Sequence, residues 1–133
     1  MDDMTGAPLE KFIKDYAKSE VVFEENSLGT EMYIVHSGRV RLFAHGENGE
    51  EVTLATIEEG GFFGEMTLID LSPRSATAVA EEHTRLIVLD QPKFLYMIQQ
   101  QPSFAFTVMG VLCQRIREAN AALARARAEE TPQ

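Results

Sequence analysis

Between Val21 and Asp90 the apolar residues come in short runs, several of them alternating with polar positions, and each run is closed by Gly, Asn, Ser or Pro. The runs "VVF", "EMYIVH", "RVRLFA", "EVTLATI", "SATAVA" and "TRLIVLD" predict strands, because β-branched and aromatic residues at period two suit a half-buried pleated surface. The breaks "SLGT", "SGR" and "GENGE" carry turn chemistry, and Asn48-Gly49 is the strongest short hairpin signal, because both residues tolerate positive φ. Many short strands at this spacing favour a closed barrel or jelly roll over a parallel α/β sheet.

On either side of this region the period lengthens to that of a helix. Residues 8–19, "PLEKFIKDYAKS", predict a short amphipathic helix with Leu9, Phe12, Ile13 and Tyr16 on one side. After Asp90, "QPKFLYMIQQQ" predicts a helix that Pro102 separates from a longer one over 103–128. On the long helix Ala105, Met109, Leu112, Ile116, Ala119, Leu123 and Ala126 alternate steps of four and three, the spacing of a coiled-coil seam. That seam can zip to a second copy or pack on its own barrel. Phe104, Val108 and Val111 form another apolar face that could serve the barrel, so a homodimer through the seam is expected. The order is one domain over 1–133: helix, β-roll over about 20–90, then two helices over about 92–128.

Composition narrows the function classes. Lys and Arg number 12 against 21 Asp and Glu, a formal charge of -9, which removes the clustered positive charge that nucleic acid or an anionic membrane requires. The basic "RARA" near the end reads as a solvated helix terminus. The acidic start "MDDMTGAPLEKF" lacks the apolar core of a secretion signal, and no run approaches the length of a membrane span, so a cytoplasmic protein is expected. The single Cys113 has no partner for a disulfide or a thiol zinc site and falls in an apolar helical pattern, which predicts inert core packing. His36, His45 and His83 stand singly near turns or strand ends; no HxH pair suggests a jelly-roll metalloenzyme and no G-x-S-x-G elbow suggests a hydrolase. Neither metal nor enzymatic activity is expected.

The chemistry concentrates in "GGFFGEMTLIDLSPRSATAVA", Gly60 to Ala80. Here "GFFGE" reads as a strand end turning into a short helix, "EMTLID", stopped by Ser72-Pro73. Gly64 removes the Cβ that would hold an anion away, and Arg74 supplies a planar, permanently charged fork for two phosphate oxygens, with Ser75 and the amide of Ala76 beside it. Glu65 is out of place beside a phosphate unless its carboxylate accepts from a hydroxyl that arrives with the phosphate. A ribose 2′-OH against its own 3′,5′-cyclic phosphate meets that description. A simple Glu65–Arg74 ion pair is the structural alternative.

"FFGEMTLIDLSPRSATAVA" resembles the phosphate-binding cassette of the cyclic nucleotide-binding domain, the module of cAMP receptor transcription factors, cyclic-nucleotide-dependent kinases and gated channels. "VVFEENSLGTEMYIVHSGRVRLF" is similar to the family's opening strands, with Gly29 and Gly38 at two turn glycines, and the terminal helices match its hinge and lid. The resemblance implies a mainly β jelly roll with an N-terminal helix and two C-terminal helices. It places Gly64 and Glu65 on the ribose and Arg74, Ser75 and Ala76 on the phosphate. Phe63, Met66 and Leu68 support the cassette from behind or line the base pocket. A Ser after the arginine, as in bacterial cAMP receptors, tilts the ligand towards cAMP over cGMP, and Asn120 falls near the position that reaches the adenine edge. In the cAMP receptors a DNA-binding domain follows the long helix. Here "RARAEETPQ" follows instead, so the expectation is a free-standing sensor that signals to an unknown effector protein. A fragment of a larger transcription regulator, or a nucleotide-free module with the same fold, is the alternative.

Overall fold

A computed structural model describes residues 11–130. They are mainly β, with eight strands in two antiparallel four-stranded sheets and flanking helices, a jelly-roll arrangement as expected. The strands are β1 (Ile13–Tyr16), β2 (Val21–Phe23), β3 (Met32–Ser37), β4 (Arg39–His45), β5 (Glu51–Glu58), β6 (Phe62–Phe63), β7 (Thr77–Ala80) and β8 (Thr84–Leu89). The helices are α1 (Glu65–Asp70), α2 (Gln91–Gln100) and α3 (Ser103–Glu130). One sheet has the order β1-β8-β3-β6 and the other β2-β7-β4-β5. The described residues divide after Lys93 into two compact units.

In the first unit, Tyr16, Tyr33, Val35, Val40, Phe63, Ala78, Ala80 and Leu86 form one buried cluster drawn from both sheets. Burying such side chains contributes roughly 1.5–3 kcal/mol each for the larger ones. Ala78 and Ala80 of β7 share this cluster with the Tyr33 and Phe63 rings of β3 and β6. The turn between β3 and β4 rests on Gly38 (φ 97°), where a β-carbon would collide with Thr84 Oγ1 and lie 2.7 Å from the His83 carbonyl oxygen.

The structure departs from the expectations at three places. The helix expected over 8–19 is not continuous: residues 8–10 lie outside the described residues, and Ile13–Tyr16 form β1, paired antiparallel with Thr84–Ile87 of β8. A strand there closes one edge of its sheet and buries Tyr16, which outweighs a weak local helical preference. The acidic start also lies outside the described residues. At the hairpin, only Gly49 takes positive φ (83°); Gly49 N–H bonds the Gly46 carbonyl and Gly46 N–H the Glu50 carbonyl, making a longer loop than a two-residue turn. Cys113 is exposed rather than in a core, because it lies about 140° round α3 from Val108. Phe62-Phe63 form β6, the strand end expected at "GFFGE".

In the second unit, the Phe94 and Phe104 rings meet edge to face at 5.7 Å, and Phe104 and Val108 are buried. Met109, Ile116 and Leu123 of the predicted seam are about half exposed or more. No helix among the described residues is long and apolar enough to cross a membrane.

Candidate functional site

The two phenylalanines of β6 pair with Tyr33 and Ile34 of β3, which anchors the start of the cassette in the first sheet. The chain then has to turn sharply into α1. Gly64 makes that turn in the left-handed region (φ 81°, ψ 6°), and a β-carbon on it would lie 2.9 Å from Arg74 Nη1 and 3.2 Å from the Glu31 carbonyl oxygen. Both the backbone angle and the space demand glycine.

Glu65 is the first residue of α1 and is 2% exposed. A carboxylate at that end of a helix is favoured by the free N–H groups of its first turn. α1 closes after Asp70, where Leu71 takes a left-handed conformation (φ 60°) with its N–H on the Thr67 carbonyl at 2.9 Å, and Ser72 N–H bonds Asp70 Oδ1 at 3.0 Å. These local bonds and Pro73 redirect the chain so that Arg74 returns towards Gly64.

Arg74 is 3% exposed, which is unusual for a guanidinium. Its backbone is held by the β2–β3 connection: Arg74 N–H bonds the Ser27 carbonyl and Asn26 N–H bonds the Arg74 carbonyl, both at 2.8 Å. Its side chain donates from Nη1 to the Gly64 carbonyl at 3.2 Å. The guanidinium carbon lies 4.1 Å from the centre of the Phe23 ring and 5.7 Å from that of Tyr33. The buried Nε has no hydrogen-bond acceptor among the described residues. Burial pushes the Arg74 pKa down, while negative charge on Tyr33 or Glu31 acts the other way, and an arginine stays charged throughout. A buried cation with an in-plane donor to spare is suited to an incoming anion with two oxygens.

The other expected residues are distributed around this pair. Phe63 is 1% exposed and stacks on Tyr33 at 5.1 Å and 14°, beneath the cassette. Leu68 and Ala76 are buried, Ser75 is exposed, and Met66 is 53% exposed. Asn120 is exposed on α3, in the second unit. Phe23, Tyr33, Asn26, Ser27 and Gly29 had not been connected with Arg74. The sequence signal was present in Phe23 and Tyr33, two aromatics on neighbouring elements, but nothing local says that they meet an arginine about fifty residues on. Among the described residues there is no group of three or more His, Cys, Asp or Glu able to hold a metal ion. His45 and His83 are exposed beside Glu25 and Asp15, whereas His36 is partly buried with Nδ1 inside.

Comparison with known proteins bears directly on this geometry. A family model described as the cyclic nucleotide-binding domain matches residues 13–101, including all of the cassette. The chain is 41% identical over 105 residues to the cyclic AMP receptor protein of Thermus thermophilus, covering 79% of this chain and 49% of that protein. It thus spans about half the length of that curated relative. Among solved structures, the Thermus thermophilus catabolite activator protein superposes with a TM-score of 0.81 at 34% identity, covering 93% of this chain and 62% of the other. The cAMP-bound form of the EAL enzyme Bd1971 superposes with a TM-score of 0.61 at 31% identity, covering 87% and 31%. The match of the family model to most of the described β-roll, with its cassette assembled around Gly64, Glu65 and Arg74, shows that the chain belongs to the cyclic nucleotide-binding domain family.

Proposed function

We propose that this domain is a cAMP sensor that holds the ligand in the turn between Gly64 and Ala76 and passes its occupancy to a partner through the C-terminal helices. The observation that carries the reading is Arg74: a buried guanidinium with a buried donor, Nε, that lacks an acceptor among the described residues, one short helix away from a buried carboxylate. In this reading Arg74 neutralises the cyclic phosphate, with Ser75 Oγ and the Ala76 amide adding donors. Glu65 accepts from the ribose 2′-OH, and Gly64 lets the sugar approach. Phe63 and Leu68 support the turn, Met66 borders the base, and Asn120 meets the adenine edge. A monoanionic phosphodiester matches one arginine better than a dianionic phosphomonoester does, because Glu65 would repel the second charge.

Ser75 after the arginine, and a relative named for cyclic AMP, favour cAMP over cGMP. The fold itself does not exclude the second nucleotide, since the EAL enzyme Bd1971 was also solved in a cGMP-bound form. The output follows from α3: its exposed Met109, Ile116 and Leu123 zip to a second copy, and ligand changes the packing of α2 and α3 that an effector protein reads. Such coupling amounts to the ligand's preference between two arrangements, about 1–3 kcal/mol. A second output, as the sensor part of a transcription regulator, is favoured by the receptor relative, of which this chain spans about half.

Calorimetric titration with cAMP, cGMP and 2′-deoxy-cAMP tests the assignment. The expected result is binding of cAMP, weaker binding of cGMP, and a loss of about tenfold or more for the deoxy compound, the size of one charge-assisted hydrogen bond. Glu65→Gln should narrow the difference between cAMP and its deoxy analogue. Absence of heat with all three nucleotides overturns the reading.

A further inference from the structure

Arg74 alone does not explain how a phosphate site can be ready before the phosphate arrives. A buried arginine has four side-chain torsions and five donors, and among the described residues only Nη1 is tied, through a 3.2 Å bond to a backbone carbonyl. The remaining restraint is a ring. Phe23 presents its face to the guanidinium at 4.1 Å, closer than Tyr33 at 5.7 Å. The Phe23 ring is itself braced, 5.9 Å from Phe63 and 5.7 Å from Tyr33, and Tyr33 is stacked on Phe63 at 5.1 Å. These three rings come from β2 in one sheet and β3 and β6 in the other, so the ring cluster bridges the two sheets.

A guanidinium donates only within its own plane, and an aromatic face 4.1 Å from its carbon limits how that plane can tilt. The ring therefore restrains the direction in which Nε and Nη2 point. Resting on the reading of the cassette as a cyclic nucleotide site, we propose that Phe23 is a positioning residue for phosphate recognition. Its ring, held by Tyr33 and Phe63, restrains the plane of Arg74 so that the guanidinium is already oriented when the cyclic phosphate is recognised. Phe23 touches no ligand in this scheme and acts through Arg74.

The test compares cAMP affinity by calorimetry for the full chain and for Phe23→Leu, Phe23→Tyr, Arg74→Lys and the double variant Phe23→Leu/Arg74→Lys, with the melting temperature of each read in parallel. Leucine keeps apolar bulk and removes the face; tyrosine keeps the face. Phe23→Leu is expected to weaken cAMP about tenfold, the scale of a desolvated cation–π contact, and Phe23→Tyr to stay within about twofold of the parent. In the Arg74→Lys background, where no flat group remains to be oriented, Phe23→Leu should change affinity by less than about twofold, the non-additivity that marks action through a shared partner. If Phe23→Leu does not fold, Phe23→Met takes its place in the cycle. Equal affinity of Phe23→Leu and parent, or effects that simply add, would overturn the positioning role while leaving Arg74 as the phosphate ligand. A parent protein that binds no cyclic nucleotide would overturn both.

Discussion

Gly29 and Arg74 share one small volume: a β-carbon on Gly29 would lie 2.6 Å from Arg74 Nη2 and 3.0 Å from Nε. Gly38, Gly49, Gly60 and Gly64 take positive φ but Gly29 does not, so the demand at 29 is for space and not for a left-handed backbone. The contacting edge, Nε and Nη2, is also the edge assigned above to the phosphate.

Gly29→Val should therefore act on binding more than on folding. The valine methyls would displace the guanidinium from its seat on Phe23, weakening cAMP by an expected tenfold or more, the loss that follows from misaligning a charge-assisted bidentate contact. Thermal unfolding should move by only a few degrees, because the loop backbone tolerates a side chain. Calorimetry and a melting curve on the same preparation read both quantities. Undiminished cAMP binding would mean that Arg74 does not need this position.

Arg74→Leu separates recognition from stability in the same way. Removing the counter-charge leaves a desolvated phosphate unpaired, a loss of about 3 kcal/mol in binding. Folding has less to lose, since burial already works against the guanidinium's charge and Nε is without an acceptor among the described residues. The expected outcome is a titration too weak to follow together with an unchanged or slightly higher melting temperature. A variant that unfolds at room temperature would assign Arg74 to the scaffold.

Tyr33 predicts the alkaline behaviour. Burial, reinforced by the nearby charge of Glu31, raises its phenol pKa well above the ordinary 10.0, and its hydroxyl donates to Glu31 Oε1 at 3.3 Å. The neutral phenol is thus the form that the fold prefers. Its contribution is complete below pH 10, where the unfolded chain also keeps the proton, and is lost as pH rises towards the folded pKa. Tyr16, raised chiefly by burial as well, adds to the same trend. Tyr33→Phe retains the ring behind Phe23 but cannot ionise. Urea midpoints of parent and variant should run nearly parallel through neutral pH, and the parent should fall more steeply above about pH 10. Parallel curves to pH 11 would show that Tyr33 is not held neutral by the fold.

α3 predicts the assembly state. Ile116 is 59% exposed in the middle of the four-three seam, and Met109 and Leu123 flank it by seven residues each way, 49% and 50% exposed. Ile116→Glu should leave melting of the β-roll unchanged and convert a dimer to a monomer in sedimentation equilibrium, because like charges would face each other across the seam. A parent protein that sediments as a monomer at tens of micromolar would remove the seam from the function.

Several features were legible in the chain because they depend on neighbours. The strands over 21–23, 32–37, 39–45, 51–58 and 84–89 follow from β-branched and aromatic runs between turn residues, and α1 occupies the six residues "EMTLID" that the glycine before and the Ser-Pro after had marked out. The two helices after Asp90 are parted at Pro102, as the proline had marked. The errors have a common origin. Ile13–Tyr16 carry a pattern that fits a helix or a strand, and only the free edge of β8 makes it a strand. Asn48 can take positive φ but does not, since the loop around it is closed by backbone bonds two residues wider.

By itself the sequence determined the kind of protein: a β-rich roll with a Gly-Glu turn and one arginine nine residues later, enough to identify the cassette and its chemistry, because turns, caps and charge types are properties of short segments. What tertiary structure alone decided is how that arginine is held. Phe23, Asn26, Ser27 and Gly29 are distant from Arg74 along the chain, and they reach it only when β2 and β7 pair across the second sheet. Burial, ring stacking and the space left by a missing β-carbon depend on that long-range pairing, and no local pattern encodes them.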